Sequence, residues 1–241
     1  MTNNAPIELS IAIPAYEEAA NLQILLPKLH EVASRLTPYY EILIIDAQEP
    51  RDDTPAICAQ NNTPCIARTG GTQYGAAIRT ALKTVKGRYV VIMDADGSHA
   101  PTFIPKLWDF RKDYDLVIAS RYVEGGKTEN PYILIFLSLV VNVVFRLVLN
   151  LDCRDVSNSF RLYRGDSLRA LTLECEHFDV VEEILVKLNS TDNTFKIKEV
   201  AFTFEKRKKG KTKRNLVIFA LGYLGTLCKL YRMKRKAHSV A

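Results

Sequence analysis

No Cys-x-x-Cys pair occurs in the chain, and its five cysteines, Cys58, Cys65, Cys153, Cys175 and Cys228, are odd in number and scattered. That spacing excludes the common zinc sites, argues against a disulfide framework and favours a reducing compartment. The opening residues, "MTNNAPIELS", lack a basic region followed by an apolar core, so no signal peptide is expected. There is no G-x-G-x-x-G run and no Walker lysine pattern, which sets aside two common phosphate-binding signatures. Internal repeats and low-complexity linkers are also missing.

What remains is an ordinary globular composition: 241 residues, 47% hydrophobic and 25% charged. Such a chain can bury one large core, with or without an appendage. The formal charge of +6 is unevenly spread. It gathers in "KRKKGKTKR" after Glu205 and again in "KLYRMKRK". A basic end implies an acidic partner: phosphate, nucleic acid or an anionic membrane. No aromatic stacking platform accompanies the run, so nucleic acid is not expected.

Strand-like apolar runs recur at 9–14, 41–46, 65–68, 89–94 and 116–120, separated by stretches of helical spacing at 19–36, 74–85 and 101–112. Pro27 should kink or restart the first of these helices. The alternation predicts an α/β fold, a mostly parallel sheet covered by helices on both faces. Ligands bind beyond the carboxyl ends of such strands, where Pro14, Asp46 and Asp94 fall. After Arg121 comes "YILIFLSLVVNVVFRLVLNL", nearly long enough to span a bilayer. Asn142, Arg146 and Asn150 recur at i+4, which favours an amphipathic helix lying in a membrane interface or packed in the protein. The second apolar stretch, 215–228, is too short to span and runs into basic residues. This divides the chain into a main domain, 1–214, that includes the apolar helix 132–151, and a C-terminal apolar and basic helix, 215–241.

The sharpest motif is "MDADGSHAP" at the end of the fourth strand. Asp94, Asp96 and Ser98 supply hard oxygen donors suited to Mg²⁺ or Mn²⁺. A solvated turn is the alternative reading. A calcium-binding loop is not, because His99 and Pro105 stand where that loop needs Gly and Glu. In "IPAYEEAANL", Tyr16 offers an aromatic face for a base, and Glu17 and Glu18 offer acceptors or favour a helix N-terminus. Gly70, Gly71 and Gly75 permit close approach of backbone to phosphate or sugar. The cations of "SRYVEGG" and "RKKGKTK", including Arg121, Arg207 and Lys213, suit a diphosphate.

In order along the chain, "IPAYEEAANL", "EILIIDAQEP", "GGTQYGAAIRTAL", "VVIMDADGSHAPTFIPKL", "DLVIASRYVEGG", "SNSFRLYR" and "EKRKKGKTK" resemble the family 2 glycosyltransferases of the GT-A fold, and among them the dolichol-phosphate mannose synthase type. The resemblance implies an inverting, metal-dependent hexosyltransferase with a nucleotide-sugar donor of the GDP-mannose or UDP-glucose type and a polyprenyl phosphate acceptor, dolichyl or undecaprenyl. It implies nucleotide contacts from Pro14, Tyr16, Glu18, Asp46 and Asp94, and a metal at Asp94, Asp96 and Ser98. Asp96, Arg121, Arg207 and Lys213 would serve the transfer. A peripheral protein on the cytoplasmic face of a membrane follows, bound to anionic lipid, with a membrane-protein partner as a further expectation. The alternatives are a glycan hydroxyl acceptor, with Asp155 as the base, or a catalytically weak nucleotide-sugar-binding relative.

The sequence departs from the family at three places. Two acids followed by Gly-Ser usually close the second strand; here Asp46 is followed by Ala47, Gln48 and Glu49. One nucleotide contact is lost unless Asp52 or Asp53 replaces it. Ser98 stands where many relatives have Gln, and Tyr74 where Lys is common. The Q-x-x-R-W motif of chain-extending synthases is absent, since Trp108 is the sole tryptophan.

Overall fold

The computed structural model describes residues 5–129, 131–191, 194–204 and 225–235. Its strands are β1 (Leu9–Pro14), β2 (Tyr40–Asp46), β3 (Cys65–Ala67), β4 (Tyr89–Ile92), β5 (Leu116–Ser120), β6 (Lys127–Thr128), β7 (Arg161–Arg164), β8 (Ile197–Ala201) and β9 (Thr203–Phe204). The helices are α1 (Ala19–Leu36), α2 (Thr54–Gln60), α3 (Tyr74–Thr84), α4 (Ile104–Trp108), α5 (Tyr132–Leu149), α6 (Gly165–Arg169) and α7 (Val180–Thr191). Seven strands form one sheet in the order β3-β2-β1-β4-β7-β5-β8, and β6 pairs with β9 beside it. Within the large sheet only β7 is antiparallel to its neighbours.

Side chains alternate across the pleat and fill a core on each face. On β2, Ile42 and Ile44 pack with Leu22, Leu26, Leu29 and Trp108, under α1 and α4. Leu43 and Ile45 face the other way, into a core with Ala77, Ala81, Phe145, Leu149 and Ile184 from α3, α5 and α7. The expected α/β architecture is therefore present, with helices on both faces. Buried on both sides, the central strands read as continuous apolar runs, which is why they were legible in sequence.

Four details differ from expectation. Helix α1 is one element from Ala19 to Leu36, so Pro27 does not restart it. Pro27 lies on the exposed side, and so does Gln23, whose carbonyl would have received the missing bond. Residues 101–112 are not one helix. A 3-10 turn, Pro101–Phe103, leads into α4, and tighter bonds from Phe110 N to Leu107 O and Arg111 N to Trp108 O close it. Strand β4 ends at Ile92, its last residue paired with β1 and β7, and leaves Asp94 in the following turn. Finally β7 and β8 were not anticipated, because charged residues interrupt their apolar pattern; Arg161 of β7 is nonetheless fully buried, and its guanidinium donates to Val156 O and Val181 O.

Helix α5 has its polarity turned inward. Asn142, with Phe145 and Leu149, is on the buried side, and its side chain bonds Val156 N at 2.6 Å and Ser138 O at 2.7 Å. Arg146 and Asn150 are exposed, so the expected polar stripe divides between protein and solvent. The apolar residues Tyr132, Ile133, Phe136, Val143 and Leu147 are also exposed. It is the one helix among the described residues long and apolar enough to cross a membrane, and only 17% of it is buried. Helical residues 225–235 dock on the same core through Leu230, and Lys234 Nζ meets the Leu149 carbonyl at the end of α5, at 2.5 Å. The division at residue 214 lies outside the described residues, as do Arg207 and Lys213.

Candidate active site

Strand order reverses at β1, which has β2 on one side and β4 on the other. Crossover chains leave in opposite directions there and open a crevice beyond the carboxyl ends. A cleft of about 490 Å³ occupies that place, lined by Pro14, Tyr16 and Glu18 after β1, Arg68 after β3, Gln73 and Tyr74 at α3, and Asp94 and Asp96 after β4. Five of the expected site residues, Pro14, Tyr16, Glu18, Asp94 and Asp96, are thus brought together.

The two carboxylates are held by hydrogen bonds from the protein. Asp94 Oδ1 accepts from the Tyr74 hydroxyl at 3.3 Å and Oδ2 from Ser159 at 3.0 Å. The Asp94 amide donates to His99 Nδ1 at 2.9 Å, and Nε2 of that ring lies 4.0 Å from Asp94 Oδ2. Burial lowers the pKa of His99 against the opposing pull of Asp94 and Asp96, so the ring is neutral at pH 7 and its proton sits on Nε2. His99 also stacks on Phe160, with centroids 4.8 Å apart. Asp96 Oδ1 accepts both the amide and the hydroxyl of Ser98, at 3.0 and 2.5 Å. Ser98 is buried and turned to Asp96 instead of lining the cleft.

The donor set suits a hard divalent cation. Carboxylate oxygens face an open cleft where phosphate and water can complete the shell, the arrangement magnesium favours over an all-protein cage. Among the described residues no third His, Cys, Asp or Glu joins the pair.

Two basic side chains behave differently. Arg68, which sequence reasoning missed, is buried and donates to the carbonyls of Ala15, Asp46 and Thr72. It ties together the loops after β1, β2 and β3; its position at the end of the apolar run 65–68 was the available signal. Arg121 does not line the cleft. Its guanidinium grips Asp155 with bonds of 2.8 and 2.7 Å and reaches Ser157 at 2.9 Å. Asp155 is fully buried and its two oxygens are taken, so it is not placed to act as a base. Asn142 of α5 approaches the same Ser157 hydroxyl at 3.4 Å, which joins the apolar helix to this cluster.

The altered loop after β2 is resolved in detail. Asp46, an expected nucleotide contact, is buried and does not line the cleft, and its oxygens meet no well-formed hydrogen bond among the described residues. Burial raises its pKa, while the Ala47 amide opposes this. Asp52 does not substitute as a ligand group. One oxygen accepts from Ala19 N at 2.9 Å and the other from Thr54 N at 3.0 Å, so it clips the loop to the starts of α1 and α2. Asp53 precedes α2 without a capping bond and does not line the cleft. Arg51 does.

A mostly parallel sheet, a switch-point crevice and a carboxylate pair lining it define an α/β protein that binds its ligand at the strand ends. Residues 10–172 match Glycosyl transferase family 2, and the chain belongs to that family. It is 31% identical to a dolichol-phosphate mannosyltransferase of Pyrococcus furiosus over 86% of this chain and 59% of that one. A polyprenol monophosphomannose synthase of Mycolicibacterium smegmatis is 30% identical, over 84% of this chain and 79% of the other. An undecaprenyl-phosphate mannosyltransferase of Micrococcus luteus is 32% identical, over 83% and 85%. Among solved structures, mannosyl-3-phosphoglycerate synthase from Rubrobacter xylanophilus superposes with a TM-score of 0.76 at 15% identity, covering 95% of this chain and 75% of that one. Glucosyl-3-phosphoglycerate synthase from Mycobacterium tuberculosis, in complex with Mn²⁺, UDP and phosphoglyceric acid, gives 0.70 at 16% identity, covering 93% and 78%. These two likenesses establish the GT-A fold.

The far wall of the cleft depends on a buried carboxylate. Phe178 lines the cleft and packs on Tyr74, with centroids 4.7 Å apart. Its loop is held by Glu183, which accepts from Glu174 N at 2.9 Å, Cys175 N at 2.8 Å and Lys187 at 2.8 Å. Burial alone would raise the pKa of Glu183, but the bonds from Lys187 and the two amides outweigh it and hold the group below its usual value. A lowered folded pKa contributes stability that is present above the unfolded value and lost as pH falls through the folded one. Glu183→Gln is expected to cost about 1–3 kcal/mol at pH 7. That difference should shrink as pH falls below about 4 in urea titrations across pH. A pH-independent difference would contradict this role.

Proposed function

We propose that this glycosyltransferase moves a hexose from a nucleotide-sugar to a polyprenyl phosphate with inversion, at the surface of a membrane. The observation that carries the reading is the Asp94–Asp96 pair at the floor of the switch-point cleft. The printed activities of the three sequence relatives support the lipid phosphate acceptor.

The donor base would lie against Tyr16, with Asp46 beneath, and the diphosphate would reach Asp94 and Asp96. These two carboxylates would hold Mg²⁺ or Mn²⁺, with Ser98 orienting Asp96. When bound, the cation would neutralise charge that builds on the leaving diphosphate. Arg207 and Lys213, outside the described residues, supply cations from the basic run for the same phosphates. Arg121 is a positioning residue in this reading, its charge set by Asp155 close to the reacting phosphates. In the reaction, an oxygen of the acceptor phosphate attacks the anomeric carbon, the bond from that carbon to the diphosphate oxygen breaks, and the nucleoside diphosphate leaves. A phosphate oxygen is already ionised at neutral pH and needs no general base. The engagement of Asp155 by Arg121 is consistent with that.

The exposed apolar side of α5 supports a membrane location, because Tyr132, Phe136 and Leu147 would enter the lipid interface. Basic residues of 206–214 and 229–236 would add attraction to anionic lipid, roughly 1 kcal/mol for each one near the surface. In this reading the binding is peripheral and on the cytoplasmic face.

Transfer of radiolabelled sugar into an organic-solvent-extractable product should require polyprenyl phosphate and Mn²⁺ or Mg²⁺. Asp96→Ala should reduce it by at least about a hundredfold while leaving the fold intact. Undiminished transfer in excess chelator, or labelled product confined to the aqueous phase, would contradict the reading. For the membrane, wild-type protein should co-sediment with anionic vesicles and be largely released by high salt. Phe136→Glu with Leu147→Glu should lose most of this binding, and unchanged sedimentation would remove α5 from the interface.

A further inference from the structure

The β2–α2 loop presents Arg51 to the cleft. Its guanidinium carbon lies 5.9 Å from the centroid of the Tyr16 ring. Tyr16 is itself 45% exposed. No ion pair or hydrogen bond among the described residues holds the Arg51 side chain. The backbone beneath it is fixed, however, since Asp52, the next residue, bonds Ala19 N and Thr54 N. The turn carrying Tyr16 is fixed as well. Ala15 N bonds Ile45 O at 3.0 Å, Arg68 grips the Ala15 carbonyl, and Glu17 takes a left-handed φ of 57°. Two rigid supports thus present a planar cation and an aromatic ring to each other.

The spacing is informative. Direct stacking of two planes needs a separation of about 3.5 Å, and a flat ring inserted between them needs about 7 Å. With its guanidinium carbon 5.9 Å from the ring centroid, Arg51 is within cation–π reach of Tyr16, and an outward swing of this unbranched, exposed side chain would admit one planar ring between them. We infer that Arg51 is a donor-binding residue of this chain: the nucleobase inserts between Tyr16 and Arg51, the ring stacking on the tyrosine and the guanidinium covering its other face. This rests on the nucleotide-sugar reading above and gives it a particular form. The base is recognised in this form by a cation over its face. Stacking of this kind tolerates different bases, because every base has a π-face.

The test is calorimetric titration of the full chain, in the presence of Mn²⁺, with GDP, UDP and inorganic pyrophosphate. Arg51→Ala is an exposed change that leaves the Asp52 clip in place. It should weaken the tighter of the two nucleoside diphosphates by roughly tenfold and leave pyrophosphate unchanged. Tyr16→Ala should do the same, and the double variant should lose less than the product of the two single losses, because each removes one side of the same sandwich. Unchanged nucleotide affinity in Arg51→Ala would overturn the inference. An equal loss for pyrophosphate would also overturn it, by making Arg51 a phosphate ligand. If the wild type binds pyrophosphate but neither GDP nor UDP, the nucleotide-sugar reading itself falls.

Discussion

Strand β1 has its two neighbours arriving from opposite sides, β2 and then β3 on one flank and β4 on the other. The site depends on this reversal. It opens the crevice, and it brings the ends of two strands, β2 with Asp46 and β4 with Asp94 and Asp96 after it, to the same edge of the sheet. A fold that gathers carboxylates at strand ends must compensate them, and much of the surrounding hydrogen bonding does so. Tyr74 and Ser159 take one oxygen each of Asp94, and Ser98 takes Asp96 twice. Arg68 contributes a buried positive charge while giving its hydrogen bonds to carbonyls.

The compensation is incomplete, and that is informative. Tyr74 provides a neutral donor, so it orients Asp94 without cancelling its charge. Asp46 lies buried with its pKa raised and no well-formed bond. By contrast, the Arg121–Asp155 pair is closed on itself, and breaking it by removing Asp155 would leave a poorly solvated guanidinium. The same structure therefore holds an ion pair closed on itself and, lining the cleft, carboxylates met by neutral donors.

Much of this was legible in the sequence, for a physical reason. Strands buried on both faces must be apolar throughout, so β1, β2, β4 and β5 appeared as uninterrupted runs, and the residues just after them were candidate ligands by position alone. Strands β7 and β8 carry charged residues that the tertiary structure buries or half-buries, and no local pattern announces that. The orientation of α5 was hidden similarly. The spacing of Asn142, Arg146 and Asn150 marked a stripe, but only packing could divide it, with Asn142 inside and Arg146 outside. Arg51 was passed over because the acids of "DAQEPRDD" were the conspicuous feature; Asp52 proved to be the structural clip and the neighbouring cation the cleft residue.

The central claim is that Asp94 and Asp96 hold a divalent cation against a donor diphosphate. Crystals of the full chain grown with Mn²⁺ and a nucleoside diphosphate would test it through anomalous diffraction at the manganese edge. The account predicts one strong peak within coordinating distance of both carboxylates and of diphosphate oxygens, at the carboxyl end of β4. A nucleotide bound in the cleft with no anomalous peak beside Asp94 and Asp96, or with the manganese elsewhere, would contradict it.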